Sequence, residues 1–378
     1  MLDDLVDEMA RLLQAPCVLE DAELQLIAFS GQRDVDVVRQ RSILERGATP
    51  EIRDWFGGQG IHEATDPVRT PGDDERGILP RVCIPARRFE RVHGFFWLPD
   101  PDGSIDESLF PEAMRIAESA AALLELAERR QMHRDELYRA LVEGWPQTTR
   151  RAATEMATAA GLRPDEPVTC VLVDCPGLPE QLVSRPTRAG LVWAREDDRV
   201  AAAVTRPGTV HPAMRLDEIL TALGLGRRLS VRHAPATVGI GPTVPNFDDL
   251  TKARDGAWVA LRVARRSGAG TVTSWTDLGP LSLLGLARDR DLRWALFPAQ
   301  VDQFLASASA ELLETTRVFL DEAGSVSRTA DRLGIHRQTV YHRLDQMQRQ
   351  TGFDLGSGDD RLRLHLAIRL APFLLGRD

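Results

Sequence analysis

The stretch SVSRTADRLGIHRQTVYHRL, from Ser325 to Leu344, predicts two short helices joined at a glycine. Ala330, Gly334 and Val340 follow the spacing Ala-x3-Gly-x5-Val. A small residue at position 330 lets the helices cross closely, and Gly334 can adopt positive φ and end the first helix without steric cost. Val340 falls on the buried side of the second helix. This is the spacing that a DNA-binding helix-turn-helix needs.

A three-helix core is predicted around this motif. Four upstream apolar residues have the spacing of a bracing helix: Leu312, Leu313, Val318 and Phe319. Either Ser325 or Ser327 can cap the first helix of the motif. The predicted core residues of the helix-turn-helix itself are Ala330, Leu333, Gly334, Ile335, Val340 and Leu344.

The second helix of the motif, residues 336–350, is predicted to read DNA. Its N-terminal half is the part that such proteins place in the major groove. Arg337 can bind guanine and Gln338 can bind adenine with two hydrogen bonds each, while Thr339 and Tyr341 can reach phosphates. The predicted DNA-binding residues are His336, Arg337, Gln338, Thr339, Tyr341, His342 and Arg343.

Charge is divided unevenly along the chain. The formal net charge is −9, which by itself opposes DNA binding. From Ser325 to Asp378 there are nine Arg and six Asp, so this segment carries +3 and the rest of the chain carries −12. A basic terminal module on an acidic body is expected where one domain contacts phosphate. In that module Arg361 and Arg363 either add phosphate contacts or form a solvated helix face.

Length and composition predict a multidomain protein of the cytoplasm. The 378 residues are too many for one ordinary domain, and 43% of them are hydrophobic. No run of about eighteen apolar residues predicts a membrane span, and the acidic N-terminus is unlike a signal peptide. The cysteines lack the spacing of a zinc site, so we expect small buried residues and no metal at Cys17, Cys83, Cys170 and Cys175.

The order of patterns predicts a multidomain α+β fold. Residues 1–128 suggest a small antiparallel sheet with flanking helices, resembling the GAF/PAS class of sensors. A helical linker follows over 129–147, continuing from about residue 107. Residues 148–279 mix strands and helices in an α/β domain. Residues 280–378 form a helical connector and the helix-turn-helix.

The helical stretch from about Glu107 to Gly144 exceeds the usual length of a globular helix. Its apolar residues follow steps of four and three: Ile116, Ala120, Leu123, Ala127, Leu137 and Leu141. One interpretation is a dimerising helix between sensor and output. The other is a pair of ordinary helices broken near His133.

The C-terminal sequence resembles the PucR/CdaR type of bacterial regulators. The segments LLETTRVFLDEAGSVSRTADRLGIHRQTVYHRL, TGFDL and DDRLRLHLAIRL carry this resemblance over about Leu312 to Leu370. In that family the turn usually reads HRNT; here it reads HRQT, so Gln338 replaces the usual Asn and alters the expected contact. VGIGPTVPNFDDLTKARDGAWVAL is similar to the degenerate GGDEF-like domain of such regulators, and the first segment is similar to the GAF-like sensors of some members.

The resemblance implies a ligand-responsive transcriptional regulator. Its expected partners are double-stranded DNA, an unidentified small-molecule effector and further copies of the chain, as a homodimer or larger homo-oligomer. No cofactor is expected, and the residues that would bind the effector are not assigned.

The middle segment lacks the pattern of a working nucleotide cyclase, which needs a glycine pair for close nucleotide approach and carboxylates that hold magnesium. In WAREDDRV, Glu196, Asp197 and Asp198 supply carboxylates, but no glycine pair precedes them. We therefore predict a solvated turn there, a structural role for Asp174 and no catalytic residue. The alternatives to a DNA-binding regulator are a nucleotide-binding or cyclase-like signalling enzyme, or a non-DNA interaction protein.

Overall fold

Two five-stranded sheets and a C-terminal group of helices follow one another along the chain. The computed structural model describes residues 1–31, 35–45, 47–144, 146–176, 178, 189–225 and 236–375. Helices cover both faces of each sheet. This arrangement confirms the predicted multidomain α+β fold class. No helix among the described residues is long and apolar enough to cross a membrane.

The first sheet is antiparallel throughout, in the order β2-β1-β5-β4-β3. Its strands are β1 (Val18–Asp21), β2 (Leu26–Phe29), β3 (Val68–Thr70), β4 (Arg81–Arg88) and β5 (Arg91–Pro99). Every residue of β5 after Arg91 is buried, which requires cover on both faces of the sheet.

Successive residues of these strands alternate between the two covering layers. One layer is α1 (Leu2–Leu12) with the first half of α4 (Phe110–Glu143), against which Ile84 and Phe96 pack. The other layer contains α2 (Val37–Glu45) and α3 (Pro50–Gly57), and there Cys83 and Trp97 share a core with Phe56.

A single helix, α4, connects the two sheets. It runs unbroken over 34 residues, so the alternative of two helices broken near His133 is wrong. No proline or glycine follows Pro111 within it, which explains its continuity. Its first half buries Leu124 in the core of the first sheet, and its second half buries Leu137 and Leu141 in the core of the second. Much of the predicted apolar seam is therefore buried within the chain.

The second sheet has the order β10-β9-β6-β8-β7, with only β9 and β10 parallel among the described pairings. Its strands are β6 (Val168–Asp174), β7 (Leu191–Arg195), β8 (Val200–Thr205), β9 (Thr237–Val244) and β10 (Val272–Ser274). On one face lie α5 (Pro146–Ala160) and α7 (Leu250–Ser267), and on the other lies α6 (Leu216–Ala222).

Glycine lets α7 approach β9 closely. A Cβ atom on Gly241 would lie 2.0 Å from the Ala253 carbonyl oxygen, and one on Gly239 would lie 2.3 Å from the Ala257 carbonyl oxygen. Neither backbone oxygen can move away without distorting the helix. These two positions therefore require glycine for packing.

The C-terminal part consists of helices packed on α7. They are α8 (Asp289–Leu296), α9 (Ala299–Ser307), α10 (Ala310–Asp321), α11 (Val326–Leu333), α12 (Arg337–Thr351) and α13 (Gly358–Leu374). Val259 and Ala260 of α7 belong to their core. The Arg262 guanidinium also donates to both Asp289 carboxylate oxygens, at 2.8 and 2.7 Å, and to the Phe373 carbonyl oxygen, at 2.7 Å.

Candidate nucleic-acid interface

Side-chain caps set the boundaries of the helices in the C-terminal motif. The Ser325 hydroxyl accepts a hydrogen bond from the Arg328 amide at 3.4 Å, so Ser325 and not Ser327 caps α11. Gly334 ends α11 with φ 64° and ψ 34°, the left-handed conformation that glycine adopts without strain. The His336 ring then caps α12 by accepting from the Gln338 amide at 3.3 Å.

The structure buries the apolar side of the motif against α10. Val340 and Met347 are fully buried, and Ala330 and Leu344 are nearly so. Leu333 and Ile335 are half-buried at the edge of this core, and Gly334 is exposed in the turn. The crossing of α11 and α12 is thus fixed by contacts beneath them, which leaves the upper face of α12 to solvent.

The exposed face of α12 holds most of the predicted DNA-binding side chains. His336, Arg337, Gln338, Tyr341 and His342 are exposed, and Thr339 is half-buried. The helix begins at Arg337 and ends at Thr351, one residue later at each end than predicted, because His336 serves as its cap.

Arg343 turns away from this face. Its guanidinium donates to the Thr315 hydroxyl at 2.9 Å and lies 3.5 Å from the Glu311 carbonyl oxygen, both on α10. The sequence-based placement of Arg343 on the outer face is therefore wrong for this structure. Its contacts instead attach α12 to α10.

Arg337 is held in place by the preceding helix. Its Nη2 donates a hydrogen bond of 2.7 Å to the Ser327 hydroxyl on α11. From the sequence, Ser327 is predictable only as a helix cap, because its pairing with Arg337 depends on how the two helices cross. The contact orients the guanidinium at the N-terminal end of α12, where the predicted DNA-binding residues lie.

Other arginines in and near the motif differ in whether they form ion pairs with carboxylates. Glu322 accepts hydrogen bonds from Arg328 at 3.0 Å and Arg332 at 2.9 Å, and these bonds hold the pKa of Glu322 below its ordinary value. By contrast, Arg361 is half-buried beside Gly324, and Arg363 is exposed; neither has an ion pair within the described residues. These two cations therefore remain able to meet phosphate.

The acidic residues of the middle domain are not gathered around a shared space. The side chain of Glu196 is only 4% exposed and binds Arg254, so the prediction of a solvated turn is wrong at this residue. Asp174 pairs with Arg199 at 3.4 Å and Arg265 at 2.7 Å. Among the residues that the structure describes, no group of three or more His, Cys, Asp or Glu could hold a metal ion.

Two segments of the chain match known domain families. Residues 312–370 match the PucR C-terminal helix-turn-helix domain, and residues 143–263 match a GGDEF-like domain. Both matches confirm the resemblance that the sequence carries in these regions. These two matches do not test the GAF-like character of the first segment, which stays a prediction.

Curated relatives extend the likeness over nearly the full chain. The DNA-binding transcriptional activator AdeR of Bacillus subtilis (strain 168) is 22% identical over 98% of this chain and 92% of its own length. The proline-responsive transcriptional activator PutR of the same organism is 20% identical over 98% of this chain and 96% of its own length. The transcriptional activator PmfR of Paenarthrobacter nicotinovorans is 34% identical, but over 33% of this chain and 26% of its own length.

The helix-turn-helix, the GGDEF-like domain and these relatives together define a DNA-binding transcriptional regulator. More specifically, the match of its C-terminal domain and the names of its relatives support a regulator of the PucR type.

Proposed function

We propose that α12 reads DNA through the exposed side chains of its N-terminal half. Arg337, Gln338 and His342 would face base edges, while Thr339 and Tyr341 would face phosphates. The observation that carries this assignment is the two-sided character of α12, with Val340 and Leu344 buried beneath and Arg337 and His342 exposed above. Arg343, which the sequence also suggests, is left out because it binds α10.

A DNA-binding assay with paired variants tests this assignment. A duplex selected from a random library by the full chain serves as the probe in gel shifts and footprinting. Replacing Arg337 and His342 together with Ala should abolish specific binding while far-ultraviolet circular dichroism stays unchanged. Arg349→Ala is the matched control, since Arg349 is also exposed on α12 but lies in its last turn beside Asp345. Unchanged binding by the double variant would overturn the assignment.

We propose that residues 1–128 are a sensor that responds to a small effector in the cytoplasm, and that the regulator acts as a homodimer or larger homo-oligomer. The independent core of the first sheet and the linker helix α4 support this division. One relative is named proline-responsive, so L-proline is the first effector to test. Titration calorimetry with the full chain would measure its binding, and light scattering would measure the mass of the assembly.

The middle domain is proposed to have a structural and not a catalytic role. Two of the carboxylates weighed in this domain, Asp174 and Glu196, are each paired with arginine. Incubating the full chain with GTP and Mg²⁺ tests this proposal, and nucleotide turnover would contradict it.

A further inference from the structure

One buried carboxylate joins three segments that lie far apart in the sequence. Glu196, in the turn between β7 and β8, accepts hydrogen bonds at Oε1 from Arg254 Nε at 2.9 Å and from Trp258 Nε1 at 2.9 Å, both on α7. Its Oε2 accepts a hydrogen bond from the Tyr138 hydroxyl on α4. Burial raises the pKa of Tyr138 well above its ordinary value, so this phenol remains a donor.

Two further contacts attach the same part of α4 to the end of β7. Gln131 is 2% exposed, and its amide nitrogen donates to the Trp193 carbonyl oxygen of β7 at 3.4 Å and to Asp135, also on α4, at 2.7 Å. The Asp135 carboxylate in turn accepts from the backbone amide of Arg195 at 2.7 Å. The second half of α4 is therefore fixed to the end of β7 and the turn that carries Glu196.

On its other side, α7 belongs to the core of the DNA-binding unit. Val259 follows Trp258 directly and packs with Ala260 among the residues of the C-terminal helices. One turn further on, Arg262 binds Asp289 and the Phe373 carbonyl oxygen. A change in the packing of α4 on α7 would thus act on a helix against which the C-terminal helices pack.

We propose that Glu196 is a positioning residue for DNA binding: it fixes the linker helix α4 on α7, and through α7 it sets the position of the helix-turn-helix unit relative to the sensor. This inference rests on the proposed sensor function. A buried charged group suits this task because its hydrogen bonds are directional and because removing one partner leaves another buried group unpaired. An apolar contact would allow α4 to slide without such a penalty.

Spin labels test the positioning without DNA or effector. Glu136 on α4 and Asp359 on α13 are exposed, and the four native cysteines are buried, so labelled Glu136→Cys and Asp359→Cys give one distance. The parent should show a narrow distance distribution and Glu196→Ala a broad one, with Glu196→Gln between them. Glu166→Ala is the control, since Glu166 makes ion pairs with Arg163 and Arg206 at the edge of the same domain. An unchanged distribution in Glu196→Ala would overturn the proposal.

Amide hydrogen exchange tests whether DNA binding at α12 is coupled to α4 through Glu196. Because coupling between two sites is reciprocal, binding of the library-selected duplex should increase protection in the second half of α4. Glu196→Ala should lose that increase and keep the protection of α12 itself. An increase that survives in the variant, or its absence in a parent that binds the duplex, would contradict the inference.

These results separate the inference from the proposed function. If the full chain selects no duplex, the proposed DNA contacts fail, while the spin-label distances still decide the role of Glu196. If Glu196→Ala does not fold, Glu196→Gln and Tyr138→Phe replace it, since both nearly retain the size of the side chain; the first weakens the hydrogen bonds to Glu196 and the second removes the one from Tyr138.

Discussion

The guanidinium of Arg337 donates a hydrogen bond of 2.7 Å to the hydroxyl of Ser327, and this bond spans the two helices of the motif. An exposed arginine samples many rotamers, and ordering it on DNA opposes binding. A bond made before DNA arrives reduces that loss. Ser327 therefore belongs to the proposed reading surface although we do not assign it a DNA contact.

Ser327→Ala should weaken specific DNA binding without unfolding the motif. A hydrogen bond of this kind is worth about 1 kcal/mol, and 1.4 kcal/mol is tenfold in affinity, so we expect a loss of roughly three- to tenfold. Gel-shift titrations measure it. Ser307→Ala, at an exposed serine of α9 outside the motif, is the control. Tighter binding by Ser327→Ala would show that Ser327 holds Arg337 away from DNA.

Arg361 and Arg363 should affect the salt dependence of binding more than its sequence preference. Each cation that meets a phosphate contributes about one to the slope of log affinity against log salt concentration. We expect Arg361→Ala and Arg363→Ala each to lower that slope by about one and to weaken all sequences alike. Affinities measured from low to physiological salt give the slope. A slope equal to that of the parent would assign these residues to a solvated helix face.

The helix-turn-helix could be predicted from sequence because its determinants are local. Ala330, Gly334 and Val340 lie within eleven consecutive positions, and each is constrained by one helix crossing or one turn. Arg343 was misplaced for the opposite reason. Helical periodicity puts it beside the outer face, and only the position of Thr315, on a different helix, shows that its guanidinium points back to α10.

The burial of Glu196 could not be predicted from sequence. In WAREDDRV it has the composition of an exposed turn, and its neighbours Asp197 and Asp198 are indeed exposed. Its partners Tyr138 and Arg254 each lie 58 positions away, in opposite directions. A charged residue at a turn is read as solvated unless the partners that bury it are known, and those follow only from the packing of α4 and α7.

Two glycines should respond very differently to alanine. Gly334 has φ 64° and open space around its Cα. Gly334→Ala should therefore lower the free energy of unfolding by only about 1 kcal/mol, the cost of the left-handed conformation for alanine. In Gly241→Ala the new Cβ would lie 2.0 Å from the Ala253 carbonyl oxygen, which should destabilise the middle domain by about 3 kcal/mol or more. Urea unfolding with amide exchange compares the two regions. Similar losses in both variants would contradict the packing of α7 on β9.

The stability of the first domain should fall as the pH rises through neutrality. Glu20 is 7% exposed, and burial raises its pKa to about 7, although the nearby Arg39 and Arg81 oppose the rise. The folded state keeps a proton on Glu20 where the unfolded chain has released it. Its contribution to stability is therefore fully present below about pH 4.5 and is lost as the pH rises through 7. Asp21, whose pKa burial also raises to about 7, adds to the same trend.

Glu20→Gln should remove the part of this pH dependence of stability that Glu20 causes, because a neutral amide does not titrate. A pKa difference of this size corresponds to a change on the order of 3 kcal/mol. Urea unfolding at pH 5 and pH 8, with amide exchange reporting β1 and β5, measures the difference between parent and variant. Glu8→Gln, at an exposed position of α1, should leave the dependence unchanged. If parent and Glu20→Gln lose equal stability between the two pH values, Glu20 is not the titrating group, and the buried arginines beside it must already hold it ionised.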